Sequence, residues 1–226
     1  MQTDAAPPPA ALSGCLITLE GVEGSGKTTQ ARLVAEWLRD SGAAVTTARE
    51  PGGTALGERL RMVLLDPALP ALRAETEVLL FAAARSQAVA EVIAPALARG
   101  EVVVCDRFVA SSLVYQGDGL GADPGFIRAV NEWIGLGIHP ALTLVLDVPV
   151  EVGVARRGAA QRADRIEARP PAYHEAVRQG YLRLAREEPE RFAVLDARAD
   201  PATVASEVRA RVAVTLRAHG WIPAGA

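Results

Sequence analysis

A short glycine-rich stretch, GVEGSGKT at residues 21–28, restricts the fold of this chain more than any other feature of its sequence. It fits the pattern G-x-x-x-x-G-K-[ST], follows the apolar run CLITLE (15–20) and precedes a segment with helical spacing of apolar residues. In such a strand–loop–helix unit, glycines let backbone N–H groups wrap around phosphates, and the helix N-terminus adds partial positive charge. The stretch therefore predicts a P-loop that binds a nucleoside triphosphate. The alternative is a glycine-rich turn beside a solvated lysine.

Lys27 is the only lysine among the 24 lysine and arginine residues of the chain. Lysine carries a compact ammonium on a thin stem, whereas arginine carries a planar fork. A narrow nest of backbone groups would accept only the ammonium. We therefore expect Lys27 to reach the β- and γ-phosphates of ATP, and the Thr28 hydroxyl to be a ligand of Mg²⁺. The predicted nucleotide-binding residues are Gly21, Val22, Glu23, Gly24, Ser25, Gly26, Lys27, Thr28 and Thr29.

Four further short runs rich in aliphatic residues follow, at 43–48, 101–106, 142–148 and 192–197. Most of their residues are apolar, as expected of parallel strands covered on both faces. Segments with helical spacing lie between them. The alternation predicts an α/β P-loop NTPase fold, in which a five-stranded parallel sheet carries helices on both faces in three layers.

The domain organisation follows from the segments that break this alternation. Residues 1–13 contain a proline cluster and are predicted to form a disordered tail, and 220–226 a second tail. Residues 14–219 are predicted to form one domain. Within it, the segment at about 156–170 has little apolar content and many charges, which predicts a mobile lid.

The composition limits the possible binding partners of the protein and its cellular location. A net charge of −3 and an absence of long apolar runs argue against nucleic-acid and membrane binding. Cys15 and Cys105 lie in apolar runs without metal-site spacing, which favours buried thiols in the cytoplasm. A guanine-reading N-K-x-D motif would need a second lysine, so a switch GTPase of that kind is excluded.

Six short motifs, in this order, make the chain similar to the bacterial thymidylate kinases of the nucleoside monophosphate kinase family. They are EGVEGSGKTTQ (20–30), REPGGT (49–54), LLFAAARSQ (79–87), DRFVASSLVYQG (106–117), LDV (146–148) and DRIE (164–167). The resemblance implies transfer of the γ-phosphoryl group of ATP to dTMP with Mg²⁺, giving dTDP and ADP for dTTP synthesis. It also implies a homodimer, for which helices around 74–99 and 124–137 are the candidate interface, although amphipathic stripes there could equally belong to the core.

The helical segment ETEVLLFAAAR places Glu77, Phe81 and Arg85 on one stripe. By spacing alone, the stripe could be a core phenylalanine flanked by surface ion-pairing groups. The resemblance implies instead that Phe81 stacks on the thymine ring and that Arg85 donates a hydrogen bond to a carbonyl on the edge of the ring.

Asp106 and Arg107 follow a predicted strand, at the end where open α/β sheets bind ligands. Asp106 could hold Mg²⁺ through water, and Arg107 could clamp the acceptor phosphate with its fork; a simple ion pair is the alternative. The resemblance further implies that Ser112 and Gln116 read the pyrimidine edge around N3. It places Tyr115 against the sugar near C2′, and Glu23 opposite the 3′-hydroxyl.

Arginines supply the remaining candidates. The resemblance indicates that proteins with glycine at the position of Gly24 take a catalytic charge from the lid, where Arg157 or Arg162 could supply it. Lys27, Arg107, Arg157 and Arg162 are therefore the catalytic candidates. Weaker candidates for the substrate site are Arg49, Glu50 and Arg61.

Two other functions remain open from the sequence. One is a P-loop kinase that acts on another small acceptor, such as UMP, CMP or a compound that is not a nucleotide. The other is a P-loop ATPase or nucleotide-dependent binding protein without a small acceptor.

Overall fold

The structure, a computed structural model, describes residues 13–157 and 163–220. The predicted tails therefore lie largely outside the described residues, and so does 158–162 of the predicted lid. The assignment of 14–219 to one domain, with a lid at 156–170, stays a prediction.

One parallel sheet forms the centre of the protein, with the strand order β2-β3-β1-β4-β5. Its strands are β1 (Cys15–Glu20), β2 (Val45–Arg49), β3 (Val102–Asp106), β4 (Leu142–Asp147) and β5 (Phe192–Asp196). The predicted five-stranded α/β fold is confirmed. The second strand begins at Val45 rather than at residue 43, because the Ala43 N–H donates to the carbonyl of Leu38 and so closes the preceding helix.

The described residues also contain nine α-helices. They are α1 (Lys27–Asp40), α2 (Ala55–Leu65), α3 (Ala74–Ala88), α4 (Ala94–Ala98), α5 (Val109–Ser112), α6 (Pro124–Ile134), α7 (Val150–Arg157), α8 (Pro171–Glu187) and α9 (Pro201–Ala218). A π-helical turn, Val89–Ile93, joins α3 to α4, and a second, Leu113–Asp118, continues α5.

Side chains alternate between two apolar clusters on opposite faces of the sheet, as the strand period of two requires. On β3, Val104 belongs to the larger cluster, which includes residues of α1, α8 and α9. Its neighbours Val103 and Cys105 belong to the second cluster, which includes Val89 and Ile93 of the π-helical turn between α3 and α4. The central strands are therefore covered on both faces.

One helix of the described chain, Ala74–Ala98, is long and apolar enough to cross a membrane by length and composition. It contacts α2, α6 and β3, and its residues Glu77 and Arg85 are buried with ion-pair partners. These contacts are those of a core helix.

Cys15 and Cys105 are buried free thiols, as predicted, and burial raises the pKa of Cys15 to about 11.

Candidate active site

A cleft of about 690 Å³ opens at the carboxyl ends of β1, β2 and β3. Strand ends at this edge of a parallel sheet are the usual location of ligand sites. Most of the predicted substrate residues line it: Glu23, Arg49, Glu50, Arg61, Phe81, Arg107, Ser112, Tyr115 and Gln116. The structure thus brings together residues that are far apart in the sequence.

A second cleft, of about 630 Å³, lies along the P-loop and the start of α1. Arg156, Arg198 and Pro201 line it together with the loop. Gly24, Lys27 and Thr28 line both clefts. The P-loop therefore stands between two spaces that could each hold a substrate.

Lys27 is only 7% exposed, and its ammonium lies inside the loop. Nζ donates to the carbonyls of Gly21 (3.0 Å) and Val22 (2.8 Å), with Ser25 Oγ at 3.4 Å. Burial, followed by the positive charge of Arg107, lowers the pKa of Lys27 to about 8. The close approach of backbone carbonyls leaves room for a compact ammonium rather than for a planar fork.

Gly24 brings the P-loop into direct contact with α7. Its φ is +71°, and a Cβ at this position would stand 2.0 Å from the carbonyl oxygen of Gly153. No side chain fits at this contact. The geometry explains the glycine, because an arginine here would require α7 to move.

Thr28 and Asp106 meet at the floor of the cleft, where Thr28 Oγ1 donates to Asp106 Oδ2 at 2.6 Å. In the portion of the chain that the structure describes, no group of three or more His, Cys, Asp or Glu residues is arranged to bind a metal. A metal at Thr28 and Asp106 would therefore complete its shell with phosphate oxygens and water. That pattern is typical of Mg²⁺, which prefers hard oxygen ligands and retains water.

Arg107 is held by an unusual turn directly after β3. Its φ is +72°, and its N–H donates to the carbonyl of Leu19. The fully buried carboxylate of Glu20 fixes the turn by accepting the N–H of Phe108 at 2.8 Å and the hydroxyl of Ser111 at 2.6 Å. Burial raises the pKa of Glu20, against the hydrogen bonds that it accepts.

The guanidinium of Arg107 lies over the ring of Tyr115 at 4.7 Å and donates to Glu23 Oε1 at 2.8 Å. Tyr115 donates to the same carboxylate at 2.8 Å, and His174 Nδ1 lies 3.5 Å from Glu23 Oε2. Burial opposes ionisation of Glu23, but Arg107, His174 and Lys27 together hold its pKa well below the ordinary value. Glu23 is thus a carboxylate aimed into the cleft.

The wall that carries Phe81, Ser112 and Gln116 is backed by a buried guanidinium. Arg85 Nε donates to Glu50 Oε2 at 2.6 Å, and Nη1 donates to Ser112 Oγ at 3.0 Å and to Asn131 Oδ1 at 2.5 Å. Nη2 donates to the carbonyl of Phe108. These bonds use four of the five N–H donors of a guanidinium. Arg85 supports the wall from behind Ser112.

The alternative of surface ion-pairing groups around Phe81 is wrong. Both Glu77 and Arg85 are buried, and each has partners from distant parts of the chain. Periodicity places the three residues on one stripe, but it does not show that the polar ends are covered by other elements.

The three weaker candidates all line the cleft and differ in their exposure. Arg49 donates to Glu58 at 2.8 Å, and Arg61 donates to the carbonyl of Pro51 at 2.9 Å. Glu50 is buried, and its Oε1 has no hydrogen-bond partner among the described residues. Burial raises the pKa of Glu50, against the charge of Arg85.

The structure does not describe the side chains of the two predicted catalytic arginines of the lid. Arg162 lies outside the described residues, and the side chain of Arg157 is likewise not described. Arg156 donates to the carbonyls of Ala197 and Arg198, while Arg165 and Arg169 are bound to Glu77. The catalytic assignment of Arg157 and Arg162 stays a prediction.

Three residues of the site carry no assigned role from the sequence: Glu20, Glu77 and His174. Glu77 lies on the helical stripe with Phe81, and Glu20 is the last residue of the strand before the P-loop. Their positions in the sequence therefore mark both as candidates for the site. His174 falls in no motif. Its role depends on the start of α8 packing against the P-loop, which no local pattern reveals.

Comparison with known proteins identifies the family. Residues 19–208 match the family model for thymidylate kinase. The thymidylate kinase of Pseudomonas putida (strain GB-1) is 50% identical over 186 residues, which are 82% of this chain and 89% of the relative. That of Pseudomonas fluorescens (strain SBW25) is 48% identical over 210 residues, or 92% of this chain and 100% of the relative.

A solved structure gives the same result. The crystal structure of thymidylate kinase from Ehrlichia chaffeensis superposes with a TM-score of 0.72 at 31% identity, covering 88% of this chain and 98% of that one. The sequence match and the shared fold together show that the chain belongs to the thymidylate kinase family.

Proposed function

We propose that the protein transfers the γ-phosphoryl group of ATP to dTMP, giving dTDP and ADP for the synthesis of dTTP. The observation that carries this proposal is the pair of clefts that share Gly24, Lys27 and Thr28. A donor nucleotide in one cleft and an acceptor in the other would present their phosphates to the same ammonium. An ATPase without a small acceptor has no use for the first cleft.

The acceptor would lie with its base against Phe81 and its phosphate near Arg107. Stacking on an aromatic face contributes ~1–3 kcal/mol per base, and the fork of Arg107 suits a phosphate. Glu23, held as a carboxylate by Arg107 and Tyr115, would accept a hydrogen bond from the 3′-hydroxyl of the sugar. Ser112 and Gln116 would read the edge of the base, which favours a pyrimidine monophosphate over other small acceptors.

The chemistry needs no general base, because the attacking oxygen belongs to a phosphate that is already ionised near neutral pH. Catalysis therefore rests on alignment and on positive charge around the phosphoryl group in flight. Lys27 and Arg107 supply two such charges. Removing one preorganised charge of this kind typically costs ~3–4 kcal/mol of transition-state stabilisation.

The same proposal includes Mg²⁺ as a cofactor. Thr28 and Asp106 would hold it, Thr28 directly and Asp106 through water, as their 2.6 Å contact beside Lys27 in the first cleft supports. When bound, Mg²⁺ neutralises charge on the transferred phosphates.

We further propose that the enzyme is a homodimer. Large apolar side chains are exposed on three neighbouring helices, at Met62 (68%) on α2, Leu79 (53%) on α3 and Trp133 (88%) on α6. Helices α2 and α6 both contact α3, which supports the proposal that these positions belong to one apolar surface. An apolar face of this kind is typical of a self-association surface.

The cytoplasmic location stays a prediction, supported by the two free thiols.

A panel of acceptors tests the function directly. The purified protein is incubated with ATP and Mg²⁺ and, separately, with dTMP, dUMP, UMP, CMP, AMP or shikimate, and the phosphorylated products are quantified. We expect dTDP to form with the highest kcat/KM. ADP formation that does not depend on any of these acceptors would support an ATPase, and preference for another acceptor would support the rival kinase.

A further inference from the structure

A fully buried carboxylate, Glu77, stands behind the base-reading residue Gln116. Glu77 is 0% exposed and lies on α3, one helical turn before Phe81. Gln116 lies on the π-helical turn after α5, is itself buried, and lines the cleft. The two side chains face each other across this wall.

The two oxygens of Glu77 have different partners. Oε1 accepts from Arg165 Nη1 at 2.6 Å and from Arg169 Nη2. Oε2 accepts from Gln116 Nε2 at 3.4 Å. The arginines fix the orientation of the Glu77 carboxylate through Oε1, so that Oε2 is turned toward Gln116.

A carboxylate only accepts hydrogen bonds, whereas a glutamine amide has an accepting end and a donating end. Because Glu77 offers no proton, the amide nitrogen of Gln116 must face it. The amide is planar, so its oxygen then points away from Glu77. A flipped Gln116 would bring two oxygens together inside a buried site, which is strongly unfavourable.

We propose that Glu77 is a specificity-determining positioning residue, which fixes Gln116 as a hydrogen-bond acceptor toward the bound base. The proposal rests on the acceptor site described above, with the base against Phe81. Thymine and uracil carry a proton on N3 and can donate to such an acceptor. Cytosine has a lone pair on N3, so it would meet the Gln116 oxygen with another acceptor. Glu77 therefore selects bases with a protonated N3 without contacting them.

The Glu77→Gln variant tests the inference. The new amide can donate as well as accept, so Gln116 becomes free to turn its nitrogen toward the base. We expect the ratio of kcat/KM for dTMP to that for dCMP to fall at least ~10-fold, on the scale of one buried hydrogen bond. The ratio for dTMP to dUMP should stay unchanged, because both bases carry the N3 proton.

The matched control is Arg169→Gln. It removes one ion-pair partner of Glu77 but leaves the carboxylate facing Gln116. Its overall activity or melting temperature can fall, but its dTMP-to-dCMP ratio should equal that of the wild type. If Glu77→Gln does not yield folded protein, the same comparison is made between Glu77→Gln/Arg169→Gln and Arg169→Gln, because the double variant leaves fewer unpaired guanidinium groups.

Each outcome decides the inference. A lower dTMP-to-dCMP ratio in the Glu77 variant alone supports it. An unchanged ratio in that variant, or an equal fall in Arg169→Gln, overturns it. A wild-type enzyme that phosphorylates none of the three pyrimidine monophosphates refutes the proposed function instead, so the two failures are distinguishable.

Discussion

Among single residues, Lys27 shows how burial controls chemistry. Its ammonium is enclosed by carbonyl groups of its own loop, yet it lines both clefts. Those carbonyls hold the positive charge in the loop, where the phosphates of both substrates could reach it. The residue can therefore serve the donor and the acceptor at once.

The first prediction concerns the loss of this charge. We expect Lys27→Ala to keep its fold, because the hydrogen bonds of its ammonium to described residues all go to its own loop, and to lose at least ~100-fold in kcat. Lys27→Arg should be similarly impaired, since a guanidinium does not fit the nest. Steady-state kinetics with dTMP checks both, and the exposed Arg73→Ala serves as a control with normal turnover. Near-normal turnover of Lys27→Ala would refute the assigned role.

The second prediction follows from the lowered pKa of Lys27, about 8 in place of 10.5. In the folded protein Lys27 releases its proton at a lower pH than in the unfolded chain. Its effect on the free energy of unfolding therefore becomes more favourable as pH rises from about 8 to 10.5. Bound phosphates favour the ammonium. ATP binding at pH 8 should therefore take up roughly half a proton at this residue.

Calorimetric titrations in two buffers with different ionisation enthalpies measure this uptake. It should decrease toward pH 6, where Lys27 is already protonated in the free protein. The uptake should also be absent at pH 8 in Lys27→Ala. An uptake that persists in the variant would assign the proton to another group.

Among elements, the contact of the P-loop with α7 depends on two glycines that meet backbone to backbone. A Cβ on Gly24 would be 2.0 Å from Gly153, whereas a Cβ on Gly26 would have nothing within 4 Å. Gly24 and Gly26 both have positive φ, +71° and +96° respectively. Alanine at either position therefore adds backbone strain, but only one position also adds a clash.

The third prediction uses this difference. Gly26→Ala should lower the free energy of unfolding by ~1–2 kcal/mol through backbone strain alone. Gly24→Ala should cost at least ~2 kcal/mol more, because α7 must move to relieve the overlap. Urea unfolding followed by circular dichroism measures both values. Equal losses would show that the loop and α7 are not in contact in solution.

The sequence predicts the elements better than it predicts their polar contacts. The strands are predicted because runs such as 101–106 are apolar nearly throughout, and four of the five match to within one residue at either end. The burial of Arg85 was not predicted, because its partners Glu50, Ser112 and Asn131 lie 27 to 46 positions away. Local periodicity holds no information about such partners.

The candidate site shows the same division. The motifs locate the P-loop, Arg107 and the wall that carries Phe81, Ser112 and Gln116, because each follows a strand or lies on one helical stripe. His174 and the role of Glu77 emerge only when α8 and the segment before it pack against distant elements. These contacts are properties of the tertiary structure, and a single sequence does not encode them as a pattern.

For the whole molecule, the apolar side formed by α2, α3 and α6 has a consequence for assembly. The long Ala74–Ala98 helix presents Leu79 on this side, while many of its other apolar residues are buried in the core. A second copy of the chain would cover this side, and the buried face of the same helix carries Glu77, Phe81 and Arg85. Assembly would thus support the helix that contributes Phe81 to the wall of the cleft.

The last prediction is that Trp133→Glu converts a dimer into a monomer. Trp133 is the most exposed of these apolar side chains at 88%, and a carboxylate there would lose its hydration on association without a partner. Sedimentation velocity should show a species of twice 23.7 kDa for the wild type and one of 23.7 kDa for the variant. Val214→Glu, at a 65% exposed position on α9, is the matched control and should remain dimeric. A monomeric wild type would contradict the homodimer, whereas a dimeric Trp133→Glu would place the interface elsewhere on the protein.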